Sequence, residues 1–273
     1  MNDRILVFTD LDGTLLDHRT YSFEPARPAL RLLRESAVPL IICTSKTRAE
    51  VEEIRASLGN PDPFVVENGG GVFVPEGYFS IALEAARTDS GYLIVEMGTS
   101  YSRILSVFSR MKERLSGQLR GFSDMTVEEV ARLTGLSFEE AARAKKREYD
   151  EPFVLDDPAA NLDIVREMAE AAGLSITRGR FFHLTGDNDK GRAVRMVKDI
   201  YARTDGISPR TIGLGDSPND LPLLENVDFP VLVQKPGGRY EPSIRLDNLI
   251  LAPGEGPIGW SVAVRELVER LSG

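Results

Sequence analysis

Ile5-Leu6-Val7-Phe8-Thr9-Asp10-Leu11-Asp12-Gly13-Thr14 decides how this chain reads. Ile5 to Phe8 is a continuous apolar run whose length and β-branching suit a buried central strand, so Asp10 is expected where that strand ends. Open α/β sheets do their chemistry at strand ends. Two carboxylates one residue apart, then Gly13 and Thr14, offer a nucleophile, a second acid and a metal seat in one short loop. That combination suits phosphoryl transfer through an aspartyl-phosphate. A calcium loop fails on spacing: counting from Asp10, the glycine comes fourth where that loop needs it sixth, and Tyr21 stands where its closing Glu belongs.

Outward from this stretch, Glu24 to Ser36 repeats apolar residues at helical spacing, with Pro25 and Pro28 acceptable only in a first turn. Val38 to Cys43 is a second apolar strand, and strand, helix, strand with short links predicts a parallel right-handed unit. It ends in Thr44-Ser45-Lys46-Thr47 before a helix patterned by Val51, Ile54 and Leu58. Hydroxyls and N–H groups at a helix start can hold phosphate oxygens or simply cap the helix. A third strand, Phe64 to Val66, leads into Glu67-Asn68-Gly69-Gly70-Gly71, where glycines permit a close approach to a ligand or a hairpin turn into Val72 to Val74.

From about Ala85 the pattern changes. Strand, helix and extended segments through Leu184 include a capping-box start at Thr126 with Glu129. They predict a second α/β domain, 85–184, inserted into a core of 1–84 and 185–273. The core pattern resumes with Asp189-Lys190-Gly191 opening a helix, then a strand, Arg210 to Leu214, running into Gly215-Asp216-Ser217-Pro218-Asn219-Asp220. Further strands at Phe229 to Val233 and Leu249 to Leu251 and a helix from about Pro257 to Leu271 complete it.

The chain has 273 residues, enough for substantial cores, and its 42% hydrophobic and 27% charged content is ordinary for a globular protein. A net charge of −9 argues against a general nucleic-acid or anionic-membrane binder, so a phosphate substrate needs a local cationic site. The one cysteine, Cys43, excludes an intramolecular disulfide and a multi-cysteine zinc site, and its apolar neighbours make it a small buried hydrophobe. Asp3 and Arg4 lead straight into a short strand where a signal peptide would be apolar, and no apolar run spans a bilayer; a cytoplasmic location is expected.

Four elements therefore end in polar groups: Asp10 with Asp12, Thr44 with Ser45, Lys190, and Asp216 with Asp220. Carboxylates gathered at one point repel unless cations balance them, and Lys190 plus a divalent metal would do so. Oxygen-only ligands favour Mg²⁺ over zinc.

This order and these motifs resemble the haloacid dehalogenase superfamily of phosphotransferases over essentially the whole chain. Asp10 to Thr14 match its first motif, Thr44 or Ser45 the second, Lys190 the third, and Gly215 to Asp220 the fourth. The resemblance implies an α/β fold, a Rossmann-like parallel sheet core with an inserted α/β cap of the kind found in sugar-phosphate phosphatases. Thr44 to Thr47, Glu67 to Gly70, Arg147-Glu148-Tyr149-Asp150-Glu151-Pro152-Phe153, Gly179 to Leu184 and Gly213 to Asp220 are together similar to the mannosyl-3-phosphoglycerate phosphatase branch.

By that resemblance Asp10 is the nucleophile, Asp12 the general acid and then base, and Lys190 with Thr44 or Ser45 steadies the phosphoryl oxygens. Mg²⁺ is expected on Asp10, the Asp12 carbonyl and Asp216, with Asp220 close by. The implied partner is a small phosphorylated sugar or glycosyl-phosphoglycerate, with mannosyl-3-phosphoglycerate first and glucosyl-3-phosphoglycerate or sucrose 6-phosphate as alternatives. A phosphomutase would use the same two aspartates. The substrate's carboxylate calls for a cation, for which Lys46, Arg147 and Arg180 are candidates, with Asn68, Gly69 and Gly70 nearby in the core. His183, His18 and Trp260 are expected to be packed, surface and core residues respectively.

Overall fold

The computed structural model describes residues 4–84 and 86–273. Asp3 and Ala85, named above, lie outside them. The elements in chain order are β1 (Ile5–Thr9), α1 (Arg27–Glu35), β2 (Leu40–Cys43), α2 (Arg48–Leu58), β3 (Phe64–Val66), β4 (Gly71–Pro75), β5 (Ala86–Asp89) and β6 (Tyr92–Glu96). Then follow α3 (Tyr101–Arg114), β7 (Leu119–Gly121), α4 (Val127–Thr134), α5 (Phe138–Ala144), β8 (Asp150–Leu155), α6 (Pro158–Ala171), β9 (Ser175–Arg178) and β10 (Phe182–Thr185). The chain closes with α7 (Lys190–Asp205), β11 (Arg210–Gly215), α8 (Leu221–Leu224), β12 (Phe229–Gln234), β13 (Ile250–Glu255) and α9 (Gly256–Ser272).

One compact unit comprises Met1–Thr44, Asn60–Val95 and Asp189–Gly273. Its sheet runs in the order β13-β12-β11-β1-β2-β3-β4-β6-β5. Pairing is parallel from β13 to β3, with Ile5 opposite Arg210 and Val7 opposite Leu40. All five residues of β1 are buried, as a strand with neighbours on both edges and covered faces requires. Parallel pairing brings the C-terminal ends of β1, β2 and β11 to the same edge, and with them Asp10, Thr44 and Asp216.

Past β3 the sheet turns antiparallel, and the β5–β6 hairpin extends its edge. Tyr92 of β6 sets its ring edge-on to Phe64 and Phe73, at 5.3 and 6.0 Å, which anchors the hairpin to this core. The compact units divide at Thr44/Ser45, Gly59/Asn60, Val95/Glu96 and Asn188/Asp189.

The second unit comprises Ser45–Gly59 and Glu96–Asn188, and so includes α2. Thr47 caps α2 in a reciprocal box with Glu50, and its hydroxyl also donates to the Arg143 carbonyl at 3.0 Å; Arg48 pairs with Glu148 at 3.0 Å. An antiparallel sheet in the order β7-β8-β10-β9 packs Phe153 and Phe182 against Phe108 and Met111 of α3 and Val165 of α6. Among the described residues no helix is long and apolar enough to cross a membrane.

Candidate active site

Asp10 begins where β1 stops. Its N–H donates to the Leu214 carbonyl of β11 at 3.0 Å, so the chain leaves the sheet with its backbone still tied to the neighbouring strand. Residues 11–16 then fold into a tight turn in which Gly13 N–H bonds the Leu16 carbonyl at 3.0 Å and Leu16 N–H bonds that of Leu11 at 2.8 Å. Gly13 has φ +78°, and a Cβ there would come within 2.9 Å of an Asp216 carboxylate oxygen; glycine is needed for both reasons. Thr14, buried, donates to Asp216 Oδ1 at 3.4 Å.

Lys190 is the first residue of α7, capped by Asp189, whose carboxylate accepts Gly191 N–H at 2.7 Å. Only 1% exposed, its ammonium donates to Asp10 Oδ1 at 2.8 Å and to Asp220 Oδ1 at 2.7 Å. Burial works against that charge, but the two carboxylates outweigh it and hold the ammonium above its usual range. Asp220 Oδ2 accepts from Asp216 N–H, Ser217 N–H and Ser217 Oγ at 3.0, 3.1 and 3.1 Å. Asp220 therefore braces both its own loop and Lys190. Asp10 Oδ2 and most of the Asp216 carboxylate have no such engagement among the described residues.

Burial, with Asp220 and Asp12 beside it, pushes Asp10 up to about 8 despite Lys190. Burial and then Asp220 push Asp216 up to about 6. The rise at Asp10 and the rise at Lys190 pull in opposite senses. The ammonium is the firmer of the two, because two carboxylates touch it. The rise at Asp10 comes first from burial and then from the carboxylates of Asp220 and Asp12, and a cation beside it would act against that rise.

A hard divalent cation fits this donor set. Oxygens of Asp10, Asp216 and Asp220 lie within 4.8 Å of one another, so three buried carboxylates converge on one small space. With all three carboxylates ionised, two negative charges remain after Lys190 is counted, and every donor is an oxygen.

The other residues singled out by sequence divide between the two units. In the first unit Thr44 is wholly buried, its N–H bonded to the Val65 carbonyl at 3.1 Å and its carbonyl accepting Asn68 N–H at 2.9 Å. Gly69 and Gly70 donate to the Val66 carbonyl, both at 3.0 Å. In the second unit Lys46 lies 3.9 Å from Glu50. Arg147 donates to the Ser45 carbonyl at 3.1 Å and to buried Asp150 at 3.4 Å. His183, on the adjacent strand, meets Asp150 at 2.8 Å through Nδ1. Arg180 caps the C-terminal end of α4, donating to the Thr134 and Leu133 carbonyls at 2.6 and 2.9 Å while lying over Phe181. Trp260, read from sequence as core, is wholly buried and also donates to Thr9 beside Asp10. No local signal could have revealed a partner 251 residues away.

A family model for haloacid dehalogenase-like hydrolases matches residues 7–97. A protein of Methanococcoides burtonii named glucosyl-3-phosphoglycerate/mannosyl-3-phosphoglycerate phosphatase is 48% identical over 264 residues, 96% of this chain and 97% of that protein. A protein of the same name from Persephonella marina is 42% identical over 269 residues, 98% of each chain. The solved structure of Thermoplasma acidophilum 0175 shares the fold at a TM-score of 0.68 and 20% identity, covering 96% of this chain and 97% of that one.

Proposed function

The chain belongs to the haloacid dehalogenase-like hydrolases, and from that premise we propose that it is an Mg²⁺-dependent phosphomonoesterase whose substrate is a glycosyl-3-phosphoglycerate, mannosyl-3-phosphoglycerate first. The observation that carries the chemistry is Lys190 bridging Asp10 and Asp220 at 2.8 and 2.7 Å while Asp10 Oδ2 stays uncommitted. One carboxylate oxygen is pinned and the other is left for attack.

In the first step Asp10 Oδ2 attacks phosphorus, the ester P–O bond breaks, and the leaving alkoxide takes the Asp12 carboxyl proton. In the second, water gives a proton to Asp12 and attacks the aspartyl-phosphate, releasing phosphate and restoring Asp10. Lys190 steadies the phosphoryl oxygens, and the Thr44–Ser45 segment is assigned to the same task. Asp10, Asp216 and the Asp12 carbonyl would hold Mg²⁺, with Asp220 behind them. When bound, the cation supplies positive charge against the phosphoryl oxygens. Lys46, Arg147 and Arg180 are the candidates for the substrate carboxylate, with the guanidinium of Arg147 held by the Ser45 carbonyl and Asp150 and that of Arg180 by the end of α4.

The substrate class is supported by the names of the two curated relatives, which carry both sugars. The test is phosphate release with Mg²⁺ from mannosyl-3-phosphoglycerate, its glucosyl analogue, sucrose 6-phosphate, hexose phosphates and 3-phosphoglycerate. A preference of ~100-fold in kcat/KM, about 2.7 kcal/mol, for the glycosyl-3-phosphoglycerates supports the assignment. Equal, slow release across the panel discards the substrate and keeps the chemistry. Dependence on a sugar bisphosphate with little free phosphate would make it a mutase.

A further inference from the structure

Glu67, Asn68 and Gly69 occupy left-handed backbone in succession, with φ of +48°, +57° and +96°. Glycine adopts that region freely and asparagine tolerably; a buried glutamate there is strained. The hairpin between β3 and β4 does not demand it, since loops of this length are usually built on a type I turn. Something other than reversing the chain holds the turn in this shape.

Three contacts do so within the first unit. Asn68 N–H donates to the Thr44 carbonyl at 2.9 Å. Asn219 Nδ2 donates to Asn68 Oδ1 at 3.3 Å. Gly69 lies so close to the Asp189 backbone that a Cβ would overlap the Asp189 carbonyl. Each partner is, or directly precedes, a member of the candidate centre: Thr44 itself, Asp189 before Lys190, and Asn219 before Asp220.

We infer that the Glu67–Gly69 turn is a positioning element for phosphoryl transfer, seating the start of α7 so that Lys190 reaches Asp10 and Asp220 together. The inference rests on the function proposed above. It gives Asn68 and Gly69 a backbone role in place of the direct substrate contact expected from sequence. Because phosphoryl transfer depends on placement of charge, a small shift of the ammonium lowers the rate more than it weakens binding.

The test compares Asn68→Gly, Asn68→Ala and Gly69→Ala, using 4-nitrophenyl phosphate and mannosyl-3-phosphoglycerate with Mg²⁺. Both Asn68 variants lose the amide, but only glycine accepts the left-handed backbone without strain. Asn68→Gly, which loses only the Asn219 contact, is expected to lower kcat by ~3-fold, while Asn68→Ala, which also strains the left-handed backbone, lowers it by ~10-fold with KM little changed. Gly69→Ala is expected to lose ~100-fold in kcat on both esters. Should Gly69→Ala fail to fold, the Asn68 pair still decides. Equal kcat in the two Asn68 variants, an equal rise of KM in both, or a folded Gly69→Ala within ~2-fold of the parent kcat overturns the inference. Failure of the unaltered protein to release phosphate from either ester instead overturns the functional reading.

Discussion

Trp260 Nε1 donates to Thr9 Oγ1 at 3.0 Å, and the Thr9 hydroxyl in turn donates to the Asp10 carbonyl at 2.7 Å. A helix near the end of the sequence thus fixes the backbone of the candidate nucleophile. Trp260→Phe removes the donor and part of the buried ring, so it is expected to destabilise by about 1–3 kcal/mol. Trp260→Ala should lose about 3–5 kcal/mol through the cavity it leaves. Urea unfolding of the two variants checks both values.

Asp10→Asn is expected to reduce phosphate release by ~10⁴-fold or more, as loss of a covalent nucleophile does. Without metal the same change should not destabilise the fold. Asp10 is raised from 3.8 to about 8, so between those pH values the folded state binds more protons than the unfolded state. Stability then falls as pH rises through that window. Thermal melts in EDTA should therefore show Asp10→Asn gaining on the parent protein between pH 5 and pH 8. Adding Mg²⁺ should raise the melting temperature of the parent and much less that of the variant.

Asp216 and Asp220 should respond differently although both are acidic and buried. Asp220→Ala strips Lys190 of one partner and three donors of their acceptor, and is expected to cost about 3–5 kcal/mol. Asp216→Asn keeps an acceptor for Thr14, so its cost should be under about 1 kcal/mol, with Mg²⁺ affinity falling at least ~10-fold. Calorimetric titration of Mg²⁺ beside denaturant unfolding separates the two.

Cys43 is wholly buried, and burial pushes its thiol up to about 12. Ellman's reagent at pH 8 should leave the native protein unlabelled and report one thiol after denaturation. Its unfolded value is near 9, so above that pH the unfolded chain holds fewer protons and stability falls as pH rises. The advantage of the parent over Cys43→Ala should shrink correspondingly above pH 9 in thermal melts.

The sequence disclosed what depends on neighbours along the chain. The apolar run of β1, the reciprocal caps at Thr47 with Glu50 and Thr126 with Glu129, and the start of α7 at Lys190 are all written in a few adjacent residues. β5 and β7 were not foreseen: Ala86–Asp89 is largely polar and Leu119–Gly121 is only three residues, so neither has a period to read. The carboxylate cluster was foreseen because each member closes a recognisable strand or opens a helix. The bracing role of Asp220, the capping role of Arg180 and the link from Trp260 to Thr9 depend on side-chain directions and distant partners, which spacing along the chain does not encode.

Strand β1 finds one of its two neighbours, β2, almost at once, but the other, β11, lies two hundred residues further on, with Ile5 opposite Arg210. On a ribosome adding about 5–20 residues per second, Asp10 therefore waits roughly ten seconds or more for Lys190, Asp216 and Asp220 to be made. Until β11 is made, β1 has only one of the two strands it pairs with, and Asp10 lacks the Lys190 ammonium that it meets in the folded chain. Competence for chemistry comes late in synthesis, when the returning segment closes the sheet.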